Sequence, residues 1–312
     1  MKILYILDHY LNYHLDIVAE LARELKNYDI TVYVVSRKER DGENFYMFKQ
    51  PPITEINNLK KIVDREKIDI IHSFSFGYSG LLAKYLSNQT KKTLFYTFLR
   101  DPYTDNTLVN NLISKYLNFL LKDSVLVLPT KINSAYLKPK YILPLGLNID
   151  NYGDEFDNDL LIAFDVYNYK FLNKTSNINI LIDHSHTLAN LMPNLKIKIY
   201  TNNPKIYGKP HKNLDIREIS KEFDAGIYYH GYQDQFIDLF MIKNMARGGK
   251  VVLSSKSPLS YMFDDICVFK DMKELPHKVE MVRESEQDYS KILEMYNIKK
   301  LAPLYKYAYS NL

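Results

Sequence analysis

The fold is set by the pattern of the first 36 residues, MKILYILDHYLNYHLDIVAELARELKNYDITVYVVS. Two short runs, Ile3–Leu7 and Ile30–Val35, are apolar except for Thr31, which is typical of strands buried on both faces of a parallel sheet. Apolar residues at helical spacing lie between the two runs, at Leu15, Val18, Ala19, Ala22 and Leu25. The order strand, helix, strand predicts one unit of a parallel sheet with a crossover helix.

Predicted strands and helices continue to alternate through both halves of the chain. Further short segments that are largely apolar predict strands at residues 68–71, 93–98, 125–128, 160–164, 195–200, 225–229, 250–253 and 266–269. Helical spacing recurs between them, near residues 81–86, 178–191 and 235–247. The sequence therefore predicts an α/β protein built from doubly wound parallel sheets.

A polar segment divides this pattern into two halves. Residues 148–159, NIDNYGDEFDND, combine Asp, Asn and Gly without an apolar period. A chain of 312 residues is long enough for two domains. We predict Rossmann-like domains at 1–150 and 151–287, and a helical tail at 288–312 that packs back on the first domain and kinks or breaks at Pro303. Two such domains facing each other would leave a cleft at the carboxyl ends of their strands, where open α/β sheets bind ligands.

Charge and motif content argue against several classes of protein. The net charge of +4 comes from scattered Lys and Arg residues, which does not indicate a nucleic-acid-binding surface. This mild basic bias would favour peripheral contact with an anionic membrane face. Neither Gly-x-Gly-x-x-Gly nor Gly-x-x-x-x-Gly-Lys-Ser/Thr occurs, which argues against a dinucleotide-dependent dehydrogenase and a P-loop nucleotidase.

Cysteine usage and hydropathy indicate a cytoplasmic protein. The single Cys267 cannot form an internal disulfide, and no Cys/His cluster has the spacing of a zinc site, so we predict no bound metal. No apolar stretch approaches the ~20 residues that span a bilayer. The first apolar run is followed at once by Asp8 and His9, so it is predicted to be a strand rather than a signal peptide.

A resemblance to a known family begins with residues 224–255, DAGIYYHGYQDQFIDLFMIKNMARGGKVVLSS. This segment resembles the donor-site region of retaining GT-B glycosyltransferases, particularly glycosyltransferase family four. Members there have a strand, a loop with an acidic residue, a helix ending in Glu-Ala-Met-Ala-x-Gly, and a strand beginning Pro-Val-Val. The corresponding run here is 243–252, KNMARGGKVV, in which Gly248 and Gly249 are predicted to stop the helix.

Five further segments, in three groups, are similar to the same family in the same order. They are Leu21–Leu25 with Ile30–Val35, then Ile70–Ser73 with Gly80–Ala83, and finally Pro144–Asp150. The resemblance thus extends over most of the chain. It implies a GT-B fold and transfer of a sugar from a nucleotide-sugar donor to a glycan, lipid or protein acceptor. It further implies retention of anomeric configuration, no bound metal, and no cofactor apart from the nucleotide-sugar co-substrate.

The donor-binding residues implied by the resemblance depart from the family pattern. Gln235 and Lys243 stand where the family has two Glu residues, eight positions apart, that contact the sugar and the ribose. Lys has no acceptor atom for a ribose hydroxyl, and Asp234 and Asp238 are nearby carboxylates that could substitute. Lys170 and Lys174 compete for the place of the Lys that clamps the diphosphate. The alternative to a donor-binding role is that these side chains are simply exposed to solvent on a helix or a loop.

In the first domain, the resemblance points to the segment that follows the fourth strand, Tyr96–Pro102. Arg100 could hold a phosphate with its guanidinium, and Asp101 could orient an acceptor hydroxyl or simply start a turn before Pro102. His72, at the end of the third predicted strand, is a further catalytic candidate. Its alternative is a structural hydrogen-bonding role.

Two other functions remain open from the sequence. One is a GT-B scaffold that binds a nucleotide or glycan without transferring a sugar, motivated by Lys243, by Phe164 near the place of the family's diphosphate-binding Arg, and by the glycine-free loop at residues 8–16. The other is an epimerase or phosphorylase acting on related substrates, because the fold alone does not fix the reaction.

Overall fold

The computed structural model divides into two compact α/β units, each described here by itself. The first is built mainly from Met1–Asn148 and Met295–Leu312, and the second mainly from Ile149–Asp234 and Asp238–Glu294. The division lies two residues before the predicted boundary. The structure describes residues 1–7, 12–36, 44–47, 52–98, 102, 107–130, 137–151, 156–164, 185–201, 205, 210–218, 225–231, 239–257 and 259–311.

The first unit contains a seven-stranded sheet in which every neighbouring pair is parallel. The strands are β1 (Lys2–Ile6), β2 (Thr31–Ser36), β3 (Phe45–Met47), β4 (Ile70–Ser73), β5 (Thr93–Thr97), β6 (Val125–Leu128) and β7 (Tyr141–Ile142). Their order in the sheet is β3-β2-β1-β4-β5-β6-β7. The reversal of order beside β1 is the topological switch point of a doubly wound sheet.

Helices cover both faces of this sheet. They are α1 (Asn12–Leu25), α2 (Pro52–Glu66), α3 (Tyr78–Thr90) and α4 (Thr107–Leu121). Leu4, Ile71 and Leu94 point to the face that packs against α2, α3 and α4 in one hydrophobic core. Side chains alternate along a strand, so Tyr5 and His72 point to the opposite face. The helix α1 packs on β2 with a buried apolar stripe, as its spacing predicts.

The chain end returns to the first unit as helix α8 (Ile298–Ser310), which packs on α1. Asn297 caps this helix by accepting a hydrogen bond from the Lys299 amide at 3.0 Å. A kink or a break was predicted at Pro303, and the helix is continuous through this residue, so it does not break there. Proline removes one hydrogen bond close to the start of the helix, and the buried Tyr305 and Tyr309 hold the following turns against the first unit.

The second unit contains a six-stranded parallel sheet. Its strands are β8 (Phe156–Phe164), β9 (Ile197–Thr201), β10 (Leu214–Glu218), β11 (Ala225–His230), β12 (Lys250–Ser254) and β13 (Val268–Phe269). The order is β10-β9-β8-β11-β12-β13, with helices α5 (Leu239–Ala246), α6 (Leu275–Glu284) and α7 (Ser290–Met295) and a helical stretch over residues 185–191. Both sheets are therefore of the predicted Rossmann-like, doubly wound class.

The predicted end of helix α5 is confirmed. Gly248 has a φ of 79°, the left-handed conformation that favours glycine at the end of a helix. Its amide donates to Met245 O, and the Gly249 amide donates to Asn244 O at 2.8 Å. These two bonds form a Schellman motif, which satisfies carbonyls that the helix end would otherwise leave open.

All ten strands predicted from apolar runs are present, within a few residues of their predicted bounds at each end. The short strands β3 and β7 and the more polar β10 were not predicted, because edge strands need not be apolar on both faces. Helix α5 contains most of the predicted helix at 235–247. Within the described ranges, no helix has the length and apolar character needed to cross a membrane.

Candidate functional site

The carboxyl edge of the second sheet brings together the ends of its central strands. Because all the strands are parallel, Phe164, Thr201, His230 and Ser254 end β8, β9, β11 and β12 at one edge. Thr201 and His230 are fully buried and Ser254 is nearly so. A row of polar side chains thus lies where open α/β sheets bind their ligands.

The turn after β12 fixes part of this edge. Ser254 Oγ accepts a hydrogen bond from the Lys256 amide at 3.2 Å, and Ser254 O accepts one from the Ser257 amide at 2.9 Å. Ser257 Oγ in turn accepts from the Leu259 amide at 3.1 Å. Hydroxyl groups that bond nearby amides in this way stabilise a tight turn, so this rim is held in one conformation.

Helix α5 is locked to the same sheet through the buried Asn244. Its Oδ1 accepts from the Gly226 amide at 2.9 Å, and its Nδ2 donates to Gly226 O at 3.0 Å and to Lys250 O at 2.8 Å. Gly249 is required beside it, because a Cβ there would lie 2.3 Å from Asn244 Oδ1. The segment 224–255 that carries the family resemblance therefore folds as β11, α5 and β12 around one side-chain clamp.

Only one of the predicted donor residues lies in the described part of the chain. Lys243 is half-buried on α5, one residue before the Asn244 clamp. The others, Lys170, Lys174, Asp234, Gln235 and Asp238, lie outside the described residues and stay predictions. Lys243 likewise stays a predicted donor contact, now with a known position on the helix.

Small side chains with a hydroxyl group also lie at the carboxyl ends of strands in the first unit. Ser36, Ser73 and Thr97 are the last residues of β2, β4 and β5, and all three are buried. Thr130 follows β6 by two residues, and among the described residues no atom bonds its buried Oγ1. A buried hydroxyl of this kind at the carboxyl edge of a sheet is a candidate for ligand contact.

His72 lies inside the core of the first unit. Its Nδ1 is 2.6 Å from Tyr309 Oη, and its Nε2 is 2.8 Å from Thr97 Oγ1. Tyr309 Oη is also 2.9 Å from Tyr5 Oη, so α8 closes a polar chain over strands β1, β4 and β5. The Phe74 ring stacks on the imidazole with centroids 4.2 Å apart.

Burial sets the electrostatics of this chain. It removes water from the His72 imidazole and lowers its pKa to about 3, so the ring is neutral at physiological pH. Burial also raises the pKa of the Tyr309 hydroxyl well above its usual value. With both ring nitrogens bonded to hydroxyls inside the core, this environment favours the structural role for His72 over the catalytic one.

The two other candidates in the first unit, Arg100 and Asp101, lie outside the described residues. Sequence reasoning did not select Thr130, Thr201, His230 or Ser254. Their signal was their position, because each follows or ends a predicted strand on the side where ligands bind. In the described ranges, no three His, Cys, Asp or Glu side chains are grouped closely enough to hold a metal ion.

The structure is similar to several solved structures along its whole length. HepE of Anabaena, in a complex with UDP-glucose, has a TM-score of 0.70 and 12% identity, with 100% of each chain covered. Sucrose-phosphate synthase of Thermosynechococcus elongatus has a TM-score of 0.70 and 11% identity, covering 99% of this chain and 98% of the other. UDP-GlcNAc 2-epimerase of Neisseria meningitidis, bound to UDP-GlcNAc, has a TM-score of 0.62 and 13% identity, with 100% of each chain covered.

Sequence comparison adds no family assignment, since neither a family model nor a curated protein matches the chain. At identities of 11–13%, the structural similarity establishes the fold alone. The similarity covers 99–100% of this chain, so it includes both units. The protein therefore has the GT-B fold, with two Rossmann-like, doubly wound parallel-sheet domains.

Proposed function

We propose that the protein is a glycosyltransferase that moves a sugar from a nucleotide-sugar donor to an acceptor hydroxyl on a glycan, lipid or protein. We further propose that it retains the anomeric configuration and needs no bound metal. The observation that carries the proposal is the full-length similarity in fold to a protein in complex with UDP-glucose. UDP-sugars are therefore the first donors to test.

A second, local observation supports the same activity. The segment that resembles the family's donor-site region forms β11, α5 and β12, and these elements reach the carboxyl edge of the second sheet. Buried polar side chains at that edge, including His230, could bond the hydroxyl and phosphate oxygens of a nucleotide sugar. This edge is the proposed donor site.

The proposed roles of the donor residues follow from their chemistry. Lys170 or Lys174 would balance the charge that develops on the leaving nucleotide diphosphate, the main electrostatic task in a site without a metal. Gln235 would exchange hydrogen bonds with sugar hydroxyls, and Asp238 would accept from the ribose. Lys243 would bind a phosphate oxygen as a donor, because an ammonium group cannot accept from a hydroxyl.

The first unit would supply the acceptor side. Asp101 would orient the acceptor hydroxyl, and Arg100 would hold a phosphate in its planar fork of donors. The hydroxyl of Thr130 adds a buried group that could bond the acceptor. His72 is left out of the reacting groups, because its ring nitrogens are engaged with Tyr309 and Thr97.

A donor panel with product analysis tests the proposal. The purified protein is incubated with radiolabelled UDP-, GDP-, ADP-, TDP- and CMP-sugars together with extracted glycans, lipids and proteins as acceptors. Transfer of label from one donor to one acceptor class is the expected result. Absence of labelled product from every donor and every acceptor would contradict the proposal.

Matched lysine variants test the donor site. Lys170→Ala/Lys174→Ala and Lys243→Ala should each weaken binding of the accepted nucleotide about tenfold, the effect of one charge-assisted hydrogen bond. Lys212→Ala is the control, because Lys212 is exposed in the turn that precedes β10, at the amino edge of the same sheet. Equal binding by all three variants would remove Lys170, Lys174 and Lys243 from the site.

Epimerisation of a nucleotide sugar is a second candidate function, favoured by the similarity to UDP-GlcNAc 2-epimerase. The two reactions differ in their need for an acceptor. Incubation with UDP-GlcNAc alone, followed by nuclear magnetic resonance, would reveal inversion at C2 if the protein is an epimerase. A transferase leaves the donor's sugar configuration unchanged under these conditions. Tight binding without any turnover would instead indicate a non-transferring scaffold.

A further inference from the structure

Helix α4 in the first unit presents two different faces. Its inner face packs into the core through Leu117 and Leu120, which are buried. On the same side, Tyr116 Oη donates to Phe76 O at 2.8 Å and so ties the helix to the loop before α3. This packing fixes which residues of α4 point outwards.

The outer face carries large apolar side chains. Leu108, Leu112 and Phe119 are 77%, 68% and 44% exposed. Their spacing of four and seven residues aligns them on the helix within about 40°. Tyr85 of α3, which is 47% exposed, extends the surface, with its ring centroid 6.4 Å from that of Phe119. Solitary exposed apolar residues are ordinary, but three aligned on one helix face, with a fourth in contact with one of them, are not.

Two lysines lie on the same side of α4 as these apolar side chains. Lys115 of α4 and Lys122, the first residue after the helix, are exposed at helical spacing from Leu108, Leu112 and Phe119, within about 40° of the direction of Leu108. We call Leu108, Leu112, Lys115, Phe119 and Lys122 the α4 stripe. Lys91 and Lys92 follow the end of α3, and neither α3 nor α4 contains an Asp or Glu. The nearest acidic residue after α4 is Asp123.

The position of α4 is fixed at its carboxyl end. The buried Lys84 of α3 donates its ammonium protons to Lys122 O and to Ser124 Oγ. A cation that bonds the final carbonyls is favourable there, because the end of a helix carries a partial negative charge. The α4 stripe therefore cannot be buried by rolling the helix without breaking these bonds.

We propose that the α4 stripe, together with Tyr85, docks the protein on an anionic phospholipid bilayer. Apolar side chains flanked by Lys on one helix face match the layered chemistry of a bilayer surface. The apolar groups enter the acyl boundary, and the ammonium groups remain at the lipid phosphates. Tyr85 is suited to the interface, because its ring is apolar and its hydroxyl is polar.

Charge argues against a second copy of the chain as the occupant. A twofold interface on this surface would bring Lys115 and Lys122 towards the same residues of the partner. The α4 stripe has no carboxylate to pair with them, so the contact would suffer like-charge repulsion. An anionic lipid surface supplies the missing negative charge, and each Lys near it strengthens binding.

Co-sedimentation with vesicles tests the proposal. The full chain is mixed with vesicles of phosphatidylcholine alone or with phosphatidylcholine and phosphatidylglycerol at a 3:1 ratio. We expect binding to the anionic vesicles, weaker binding at high salt because exposed charges are screened, and little binding to phosphatidylcholine. Equal binding to both vesicles, or binding to neither, would overturn the proposal.

Paired variants locate the contact. Lys115→Gln/Lys122→Gln should weaken partition to anionic vesicles about 30-fold, whereas Lys60→Gln/Lys61→Gln, with the same change in net charge on α2, should leave it unchanged. Leu112→Ser should weaken partition about tenfold or more. Leu304→Ser is its control, because Leu304 is 49% exposed on α8.

Light scattering of the same variants tests the rival occupant. If Leu112→Ser converted a dimer to a monomer while vesicle binding stayed intact, the α4 stripe would be a contact between copies and the proposal would be wrong. A monomeric wild type with lost vesicle binding in Leu112→Ser would support it. None of these measurements uses a nucleotide sugar, so their outcome is independent of the proposed transferase activity.

Discussion

The two sheets have the same order over six strands, yet they satisfy their buried polar side chains in different ways. In the first unit, β4 holds His72, which bonds Thr97 on the next strand and Tyr309 at the end of the chain. In the second unit, the equivalent strand β11 is held by Asn244, which bonds Gly226 and Lys250. One network joins residues 237 positions apart, and the other spans a single strand, helix and strand.

The difference between the two networks indicates which contacts stabilise each unit. The network around His72 depends on the docking of α8, so loss of the chain end should open the first unit. The Asn244 clamp depends only on neighbouring elements, so the second unit should retain it by itself. Substitutions in the two networks should therefore affect different units, and hydrogen exchange can assign each effect to one of them.

The largest effect is expected for Asn244→Ala. The change leaves the Gly226 amide, Gly226 O and Lys250 O without their side-chain partner in a buried position. We expect the second unit to lose about 3–5 kcal/mol of unfolding free energy. Amide exchange in β11 and β12 should accelerate while β1 and β4 stay protected. Asn194→Ala, in an exposed turn of the same unit, is the control, and an equal effect there would refute the clamp.

His72→Gln should destabilise the first unit and alter its response to pH. At pH 7 we expect a loss of about 2–3 kcal/mol, because the imidazole fills the core and bonds two hydroxyls. The folded pKa of about 3 lies below the unfolded value, so the unfolded state gains the extra proton.

The pH dependence gives a readout specific to the imidazole. Stability from this group is present above the unfolded pKa of about 6.5 and is lost as pH falls towards 3, at about 1.4 kcal/mol per pH unit. The variant should lack this component in denaturant titrations between pH 6.5 and 4.5. Identical pH slopes for the variant and the wild type would show that His72 is not held neutral by burial.

Tyr309→Phe sharpens the comparison with less change in packing. It removes only the hydroxyl that lies between Tyr5 Oη and His72 Nδ1. We expect a loss of about 1–2 kcal/mol, detected as faster amide exchange in β1, β4 and α8. The matched change Tyr307→Phe, on the exposed side of α8, should have no measurable effect. If exchange in β11 and β12 accelerated instead, the two networks would not be separate.

The smallest effect is expected at the end of α5. Gly248→Ala places a Cβ on a residue with a φ of 79°, which costs about 1 kcal/mol. Asn244 keeps its side-chain bonds in this variant, so melting should shift by only a few degrees. A loss as large as that of Asn244→Ala would indicate that the Schellman motif, and not the side-chain clamp, holds the helix.

The same contrast explains how much of the fold could be predicted from the sequence. The strands were predicted because buried parallel strands are largely apolar, and the end of α5 was predicted because Gly248 is a local signal. Helix α8 continues through Pro303 instead of breaking there, because tertiary packing of Tyr305 and Tyr309 outweighs a local preference. The bonding of His72 could not be predicted, because its partners are distant in sequence.

The candidate site shows the same limit. The resemblance selected the segment that forms β11, α5 and β12, and the strand order brings that segment to the carboxyl edge of the second sheet. Individual residues were harder to select. Asn244 was not identified as a clamp, because its role depends on backbone groups of Gly226 and Lys250 that only the fold brings together. Thr130 became a candidate only when its burial was known.

The most direct test of the proposed function is a thermal-shift measurement with UDP, GDP, ADP, TDP and CMP and with their sugars. A ligand present at 100 times its Kd stabilises the folded protein by about 2.7 kcal/mol, or about 5–10 °C for a domain of this size. We predict that one nucleotide and its sugars raise the melting temperature by that amount and that the others do not. No shift with any nucleotide or nucleotide sugar at millimolar concentration would contradict the proposed donor site.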